Sequence, residues 1–268
     1  MDIVRNGRAH PLLPAARRAM DAPPVSNPEG AIAGALARPL GAPSLAIFVE
    51  PGDRVAVLQD ASLPRELRDL AAGPIAAALE AAGAAEVRWL VVEPGPARPD
   101  AAEGAGVPFE APAGAGAADL AEGAPGRPAE GFVAVGRAPR LGVVRLAAKV
   151  ARADRLILVG RCTRDPDLGA VGAGSLVAWG SAAPSTRAAL LGLAAGPPPA
   201  GRDEPGASAA SEVAARPSPP AAIESVLLLS PPAFALLLLL QASGRITGVL
   251  AGDALAVTDA CAGFLDGR

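Results

Sequence analysis

Three consecutive segments between Arg54 and Val92 restrict the fold most. Arg54–Gln59 (RVAVLQ) is a short apolar run after the turn pair Gly52-Asp53, and Glu86–Val92 (EVRWLVV) is a second such run. Between them lies a helical stretch ending in PIAAALEAAGAA, with Gly83 placed as its C-terminal stop. Strand, helix, strand at this spacing is a βαβ unit. Its strands run parallel, and a parallel sheet needs helices to cover both faces.

The rest of the chain extends this pattern. Ser26-Asn27-Pro28-Glu29 starts a helix, with a cap residue followed by proline at the first helical position, and GAIAGALARP carries it to near Pro39. Phe132–Val135 reads as a weak strand, Leu146–Ala153 as a helical turn, and Arg155–Val159 (RLILV) as a third strong strand. Thr186–Ala195 is a helix. A hairpin follows, Ala233–Leu240 and Ile246–Ala251 around a turn at Ala242-Ser243-Gly244-Arg245, and Asp253 caps a last helix through Phe264. Residues 1–26 read as an irregular N-terminal arm and 27–268 as one domain, with Gly/Pro/Ala-rich insertions at about 93–130 and 196–222. The most apolar window, residues 226–240, is split by Pro231-Pro232 and is too short to span a bilayer, so a buried strand is the better reading.

Composition removes several functions. Aromatics make up 3% of the chain and tyrosine is absent, which leaves little for stacking on bases. The net charge is −3, with no electrostatic footprint for nucleic acid. Histidine occurs once, as His10 in the N-terminal arm, where a surface position is expected, and lysine occurs once, as Lys149. The chain therefore has almost no material for histidine-based metal or proton chemistry, or for lysine-based covalent chemistry. Cys162 and Cys261 are far apart and match neither a disulfide framework nor a zinc pattern. With no visible signal peptide, this predicts a cytoplasmic protein that contacts neither membrane nor nucleic acid.

Each strong strand leads into a loop of Gly, Pro and polar residues: Asp60 to Pro64, Glu93 to Pro99, and Gly160 to Gly174. In an open parallel sheet these carboxyl-end loops gather along one edge, where ligands bind. Gly169, Gly172 and Gly174 have a spacing that can expose backbone N–H groups to a phosphate, though it is neither a dinucleotide fingerprint nor a P-loop. Each feature also has a plainer role. Asp60 can cap the next helix, Arg98 can be a solvated loop residue, Cys162 an inert packed thiol, and the glycines simple turn-formers.

Four stretches carry a family resemblance: NPEGAIAGALARPLGAPSL at 27–45, PGDRVAVLQDASLP at 51–64, VARADRLILVG at 150–160 and SGRITGVLAGD at 243–253. With gaps between about Asn27 and Phe264, the chain resembles the N-terminal domain of the nickel-dependent lactate racemase family. The resemblance implies an α/β fold with a mostly parallel, Rossmann-like sheet, flanking helices and the C-terminal β-hairpin. It also implies a nickel-pincer nucleotide, hydride-transfer isomerisation of 2-hydroxy acids, and an active site shared with a second, C-terminal domain.

Position by position, the family's functional motifs are altered. Its first loop, Asp-x-Thr-Arg-Pro, is Asp60-Ala61-Ser62-Leu63-Pro64 here, so the acid and the hydroxyl remain and the arginine is Leu63. Its second, Gly-Thr-His-Arg-Pro, is Gly95-Pro96-Ala97-Arg98-Pro99, which replaces the catalytic histidine by Ala97. In the third, Asp165 stands at a histidine and Ser175 at the lysine that tethers the cofactor, with Gly169, Gly172 and Gly180 kept; a later nickel-binding histidine falls near Leu191. The resemblance thus implies a catalytically degenerate member with no catalytic or metal residues and no cofactor expected. Asp60, Ser62, Arg98, Gly169 and Gly172 are its remnant binding set, for a nucleotide or small acid. Two alternatives accompany it: an active racemase completed by a partner chain that supplies a C-terminal domain, and a structural partner of a true racemase.

Overall fold

The structure, a computed structural model, describes residues 2–5, 8–11, 22–93, 95, 131–165, 169–194 and 219–266. In chain order the strands are β1 (Asp2–Arg5), β2 (Arg8–Pro11), β3 (Arg54–Asp60), β4 (Glu86–Val92), β5 (Phe132–Ala138), β6 (Gly142–Ala147), β7 (Arg155–Arg161), β8 (Thr163–Asp165), β9 (Gly169–Val171), β10 (Ala233–Leu240) and β11 (Ile246–Asp253). The helices are α1 (Pro28–Ala37), α2 (Leu45–Phe48), α3 (Arg65–Ala82), α4 (Ala148–Ala151), α5 (Ala173–Ala178), α6 (Pro184–Ala194), α7 (Pro219–Leu228) and α8 (Ala254–Asp266).

The fold is α/β, as expected. Five strands form the central sheet in the order β11-β10-β7-β3-β4. β4, β3, β7 and β10 are parallel, and β11 turns back antiparallel on β10 to form the C-terminal hairpin. The three central strands are apolar almost throughout because both of their faces are covered. Val55, Val57, Ile157, Val159, Phe234 and Leu236 pack beneath α1, α2 and α3 through Ile32, Leu36, Leu45, Ile75 and Leu79. On the other face Ala56, Leu58, Leu156, Leu158 and Leu237 meet Leu176 and Val177 of α5, Val226 of α7 and Val257 of α8.

Local chemistry sets the element ends. Asn27 Oδ1 accepts the Gly30 N–H at 2.9 Å to cap α1, and Gly83 closes α3 in the left-handed conformation at φ 75°. Asp253 Oδ1 accepts the N–H groups of Leu255 and Ala256, each at 3.0 Å, and caps α8. Arg155 ties the loop after α2 to the start of β7: its guanidinium reaches Glu50 at 2.8 Å, Asp53 at 3.2 Å and the Phe48 carbonyl at 3.1 Å.

Several expectations are corrected. The stretch read as a helical turn from Leu146 begins as strand: β6 pairs with β5 in a separate hairpin, and only Ala148–Ala151 is helical. This hairpin fastens to the segment between α5 and α6, with the Ala147 N–H donating to the Ser181 carbonyl at 2.7 Å. The arm is not wholly irregular, because β1 and β2 pair antiparallel, with His10 opposite Ile3. Its end is pinned to the β10–β11 hairpin by Val25 N–H on the Ile246 carbonyl at 2.8 Å and by Gln241 Nε2 on the Ala22 carbonyl at 2.7 Å. Helix α7 begins at Pro219, inside the stretch read as the second insertion. The first insertion lies outside the described residues except for Glu93, Gly95 and the structure that resumes at Gly131. Among the described residues no helix is long and apolar enough to cross a membrane.

The largest correction concerns the cysteines. Cys162 and Cys261 are joined as a disulfide, with their Cα atoms 5.8 Å apart. The bond ties the end of β7 to the middle of α8. The two residues are therefore not separate thiols, and the support that the expectation of a cytoplasmic protein drew from them falls away.

Candidate functional site

Among the five sheet strands, the second in sequence (β4) lies outside the first (β3), and the third (β7) lies on the first strand's other side. Chain order thus reverses between β3 and β7. In open α/β sheets the crevice at the carboxyl ends of such a strand pair is where ligands bind. Asp60 is the last residue of β3 and Arg161 the last of β7.

Both side chains meet there. The Asp60 carboxylate is 3% exposed, and its Oδ2 lies 3.9 Å from Nε of Arg161, whose side chain is 42% exposed. Oδ1 of Asp60 accepts the Ser62 backbone N–H at 2.7 Å and also the Ser62 hydroxyl. The aspartate therefore organises a turn ahead of α3 and does not cap α3 directly. At 3.9 Å the guanidinium compensates the buried charge without a direct hydrogen bond, so its donors stay available on the open side. Gly160 sits between the two: a Cβ there would lie 3.8 Å from Cβ of Asp60 and 3.3 Å from the Leu176 side chain.

The other candidates are placed differently. Arg98 lies outside the described residues. Gly169 belongs to a short hairpin, opposite Asp165, where a loop was expected. Gly172 precedes α5 and packs against Thr258 of α8, and its carbonyl accepts both the backbone N–H and the hydroxyl of Ser175. The close neighbours of Gly172 are thus on α8, whereas those of Asp60 are Ser62, Gly160 and Arg161. Leu63, at the resemblance's arginine position, is buried in the core beneath α3.

Arg161 was missed as a site residue because the strand was read as ending at Val159. In the structure Gly160-Arg161 continues β7 by two residues, and with Val159 opposite Gln59 this carries Arg161 one position past the end of β3, a placement set by the pairing of the two strands.

No family model and no curated protein sequence matches the chain. Its structure is similar to that of the lactate racemase apoprotein from Thermoanaerobacterium thermosaccharolyticum, with a TM-score of 0.53 and 13% sequence identity. The similarity covers 96% of this chain and 59% of that one, so this chain spans a little over half of that protein.

Proposed function

We propose that this chain is a recognition domain on a lactate-racemase-like scaffold, binding a small hydroxy acid or a nucleotide at the carboxyl edge of its sheet without catalysing racemisation. The observation that carries the reading is the Asp60–Arg161 pair at the strand-order reversal, a buried carboxylate holding a half-exposed guanidinium at the mouth of the crevice. A guanidinium in this position receives the carboxylate of an acid or the phosphate of a nucleotide through charge-assisted hydrogen bonds. Ser62 gives both its backbone N–H and its hydroxyl proton to Asp60, so it orients the aspartate that holds the guanidinium and does not itself donate to the ligand.

The nickel-pincer nucleotide implied by the sequence resemblance does not fit the residues present. At the tether position, Ser175 is 2% exposed and spends its hydroxyl on the Gly172 carbonyl at 2.7 Å. Leu191, near the nickel-ligand position, is an apolar side chain 45% exposed on α6.

A second reading, a racemase completed by a partner chain, is favoured by one observation: the similar apoprotein is longer, and 59% of it is covered. The partner would then have to supply both the base and the cofactor anchor. A third, a structural partner of a true racemase, has no observation of its own.

A thermal-shift screen of nucleotides and 2-hydroxy acids tests the first reading. A ligand that binds only the folded state raises the melting temperature, by about 2.7 kcal/mol of added stability at a hundred times its Kd. At least one compound should do so in the unmodified chain, and Arg161→Ala should abolish its effect. A screen with no hit, or a hit indifferent to Arg161→Ala, would remove the binding claim.

A further inference from the structure

A second charged feature lies at the opposite end of the sheet. Arg54 opens β3, Glu86 and Arg88 lie at the start of β4, and Lys149 and Arg152 lie on and just after α4, which leads into β7. These residues line a cavity of about 190 Å³. β3 is seven residues long, so the cavity is roughly 20 Å from Asp60 at about 3.3 Å per residue. It does not belong to the carboxyl-edge crevice.

The charge balance is uneven. Among the described residues the lining carries four cations and one carboxylate, Glu86, in a chain whose overall charge is −3. A second carboxylate, Asp154, next in sequence to the lining residue Ala153, takes Nε and Nη2 of Arg54, each at 3.0 Å, while Arg54's own backbone N–H donates to it at 2.9 Å. These bonds, the guanidinium contact first, hold the Asp154 carboxyl down to about 2, from an ordinary value of 3.8. Its support for this edge is therefore complete above about pH 4 and is lost as pH falls through about 2. At working pH Asp154 is an acceptor that fixes the Arg54 fork, which has five N–H donors in all. Arg88 likewise gives one nitrogen, Nε, to Glu86. The side chain of Arg152 makes no ion pair among the described residues. The only lysine of the chain adds a compact ammonium to the three guanidinium groups.

We propose that this cavity at the amino edge of the sheet is a binding site for a phosphate-type oxyanion, either inorganic or the phosphoryl group of a small metabolite. Two oriented guanidinium forks, a third arginine and an ammonium around a small polar cavity suit a tetrahedral, multiply charged anion better than a single carboxylate. The site is independent of the proposed crevice, and the variants below separate the two.

Isothermal titration of the full chain with inorganic pyrophosphate, and separately with phosphate, tests it. One saturable site is expected, with pyrophosphate the tighter ligand and binding weakened by added NaCl. Arg152→Ala and Lys149→Ala should each weaken binding at least fivefold, and Glu86→Gln should tighten it. Arg152 is exposed and makes no ion pair among the described residues, so Arg152→Ala should keep the melting temperature of the unmodified chain. Arg245→Ala, an exposed arginine in the β10–β11 turn, should bind as the unmodified chain does. Absence of saturable binding, binding unchanged in both Arg152→Ala and Lys149→Ala, or binding lost in Arg245→Ala would each overturn the proposal.

Discussion

Gly252→Ala is expected to be the most damaging single methyl group that can be added to this chain. Gly252 has φ 146°, a backbone conformation that residues with a side chain rarely adopt, and an added Cβ would fall on the backbone carbonyl oxygen of Leu40. The neighbouring hydrogen bonds show why nothing can give way. Leu40 N–H donates to the Ala251 carbonyl at 2.8 Å, and Asp253 N–H donates to the Leu40 carbonyl at 2.8 Å, locking the segment after α1 onto the last strand. The cost should be about 4 kcal/mol or more, in the range reserved for backbone overlap. In a thermal melt that is a fall of roughly 10 °C or more. Gly34→Ala is the control: it lies in α1 with nothing within 4 Å of an added Cβ, and it should be neutral or slightly stabilising. Equal melting temperatures for the two variants would refute the clash.

The second large effect belongs to the disulfide. Cys162 and Cys261 close a loop with a sequence separation of 99, and Cys261 is fully buried. Cross-links of this span typically stabilise by about 2–4 kcal/mol, mainly by restricting the unfolded chain. The Cys162→Ala/Cys261→Ala double variant should melt roughly 5–15 °C below the parent and be indifferent to reductant. The parent should fall to the same temperature when reduced. Two free thiols titrated in parent protein unfolded without reductant would show that the bond does not form.

The elements that sequence reading located are those whose signal is local. β4 is recovered at Glu86–Val92 because its apolar run is bounded by Gly83 on one side and Pro94 on the other. α1 and α8 are marked by caps, Asn27 and Asp253, that the structure shows accepting backbone N–H groups. β6 was hidden because its turn breaks the usual chemistry. Arg140 takes φ 63°, a position where glycine or asparagine would have announced a hairpin, and Leu146–Ala153 then reads with helical composition. The disulfide was invisible for a different reason. Its two halves meet only because α8 packs against β10 and the short β8–β9 hairpin, and nothing near either cysteine encodes that approach. In the candidate site, Asp60 and Ser62 were legible as neighbours in one turn. Arg161 was not, because its relation to Asp60 depends on the lateral order β7-β3, which a single strand does not reveal.

The central claim is that the crevice keeps recognition and lacks the chemistry. Isomerising a 2-hydroxy acid requires a base within hydrogen-bond reach of the hydroxyl, and the buried Asp60 is already engaged with Ser62 and Arg161. The most direct test incubates the full chain with L-lactate and, separately, D-lactate, with the synthesised nickel-pincer nucleotide supplied, and follows both enantiomers by chiral chromatography. No interconversion above the protein-free control is expected in either direction. Racemisation that the cofactor supports, and that Asp60→Asn or Asp165→Ala abolishes, would contradict the account by revealing a working base in this chain.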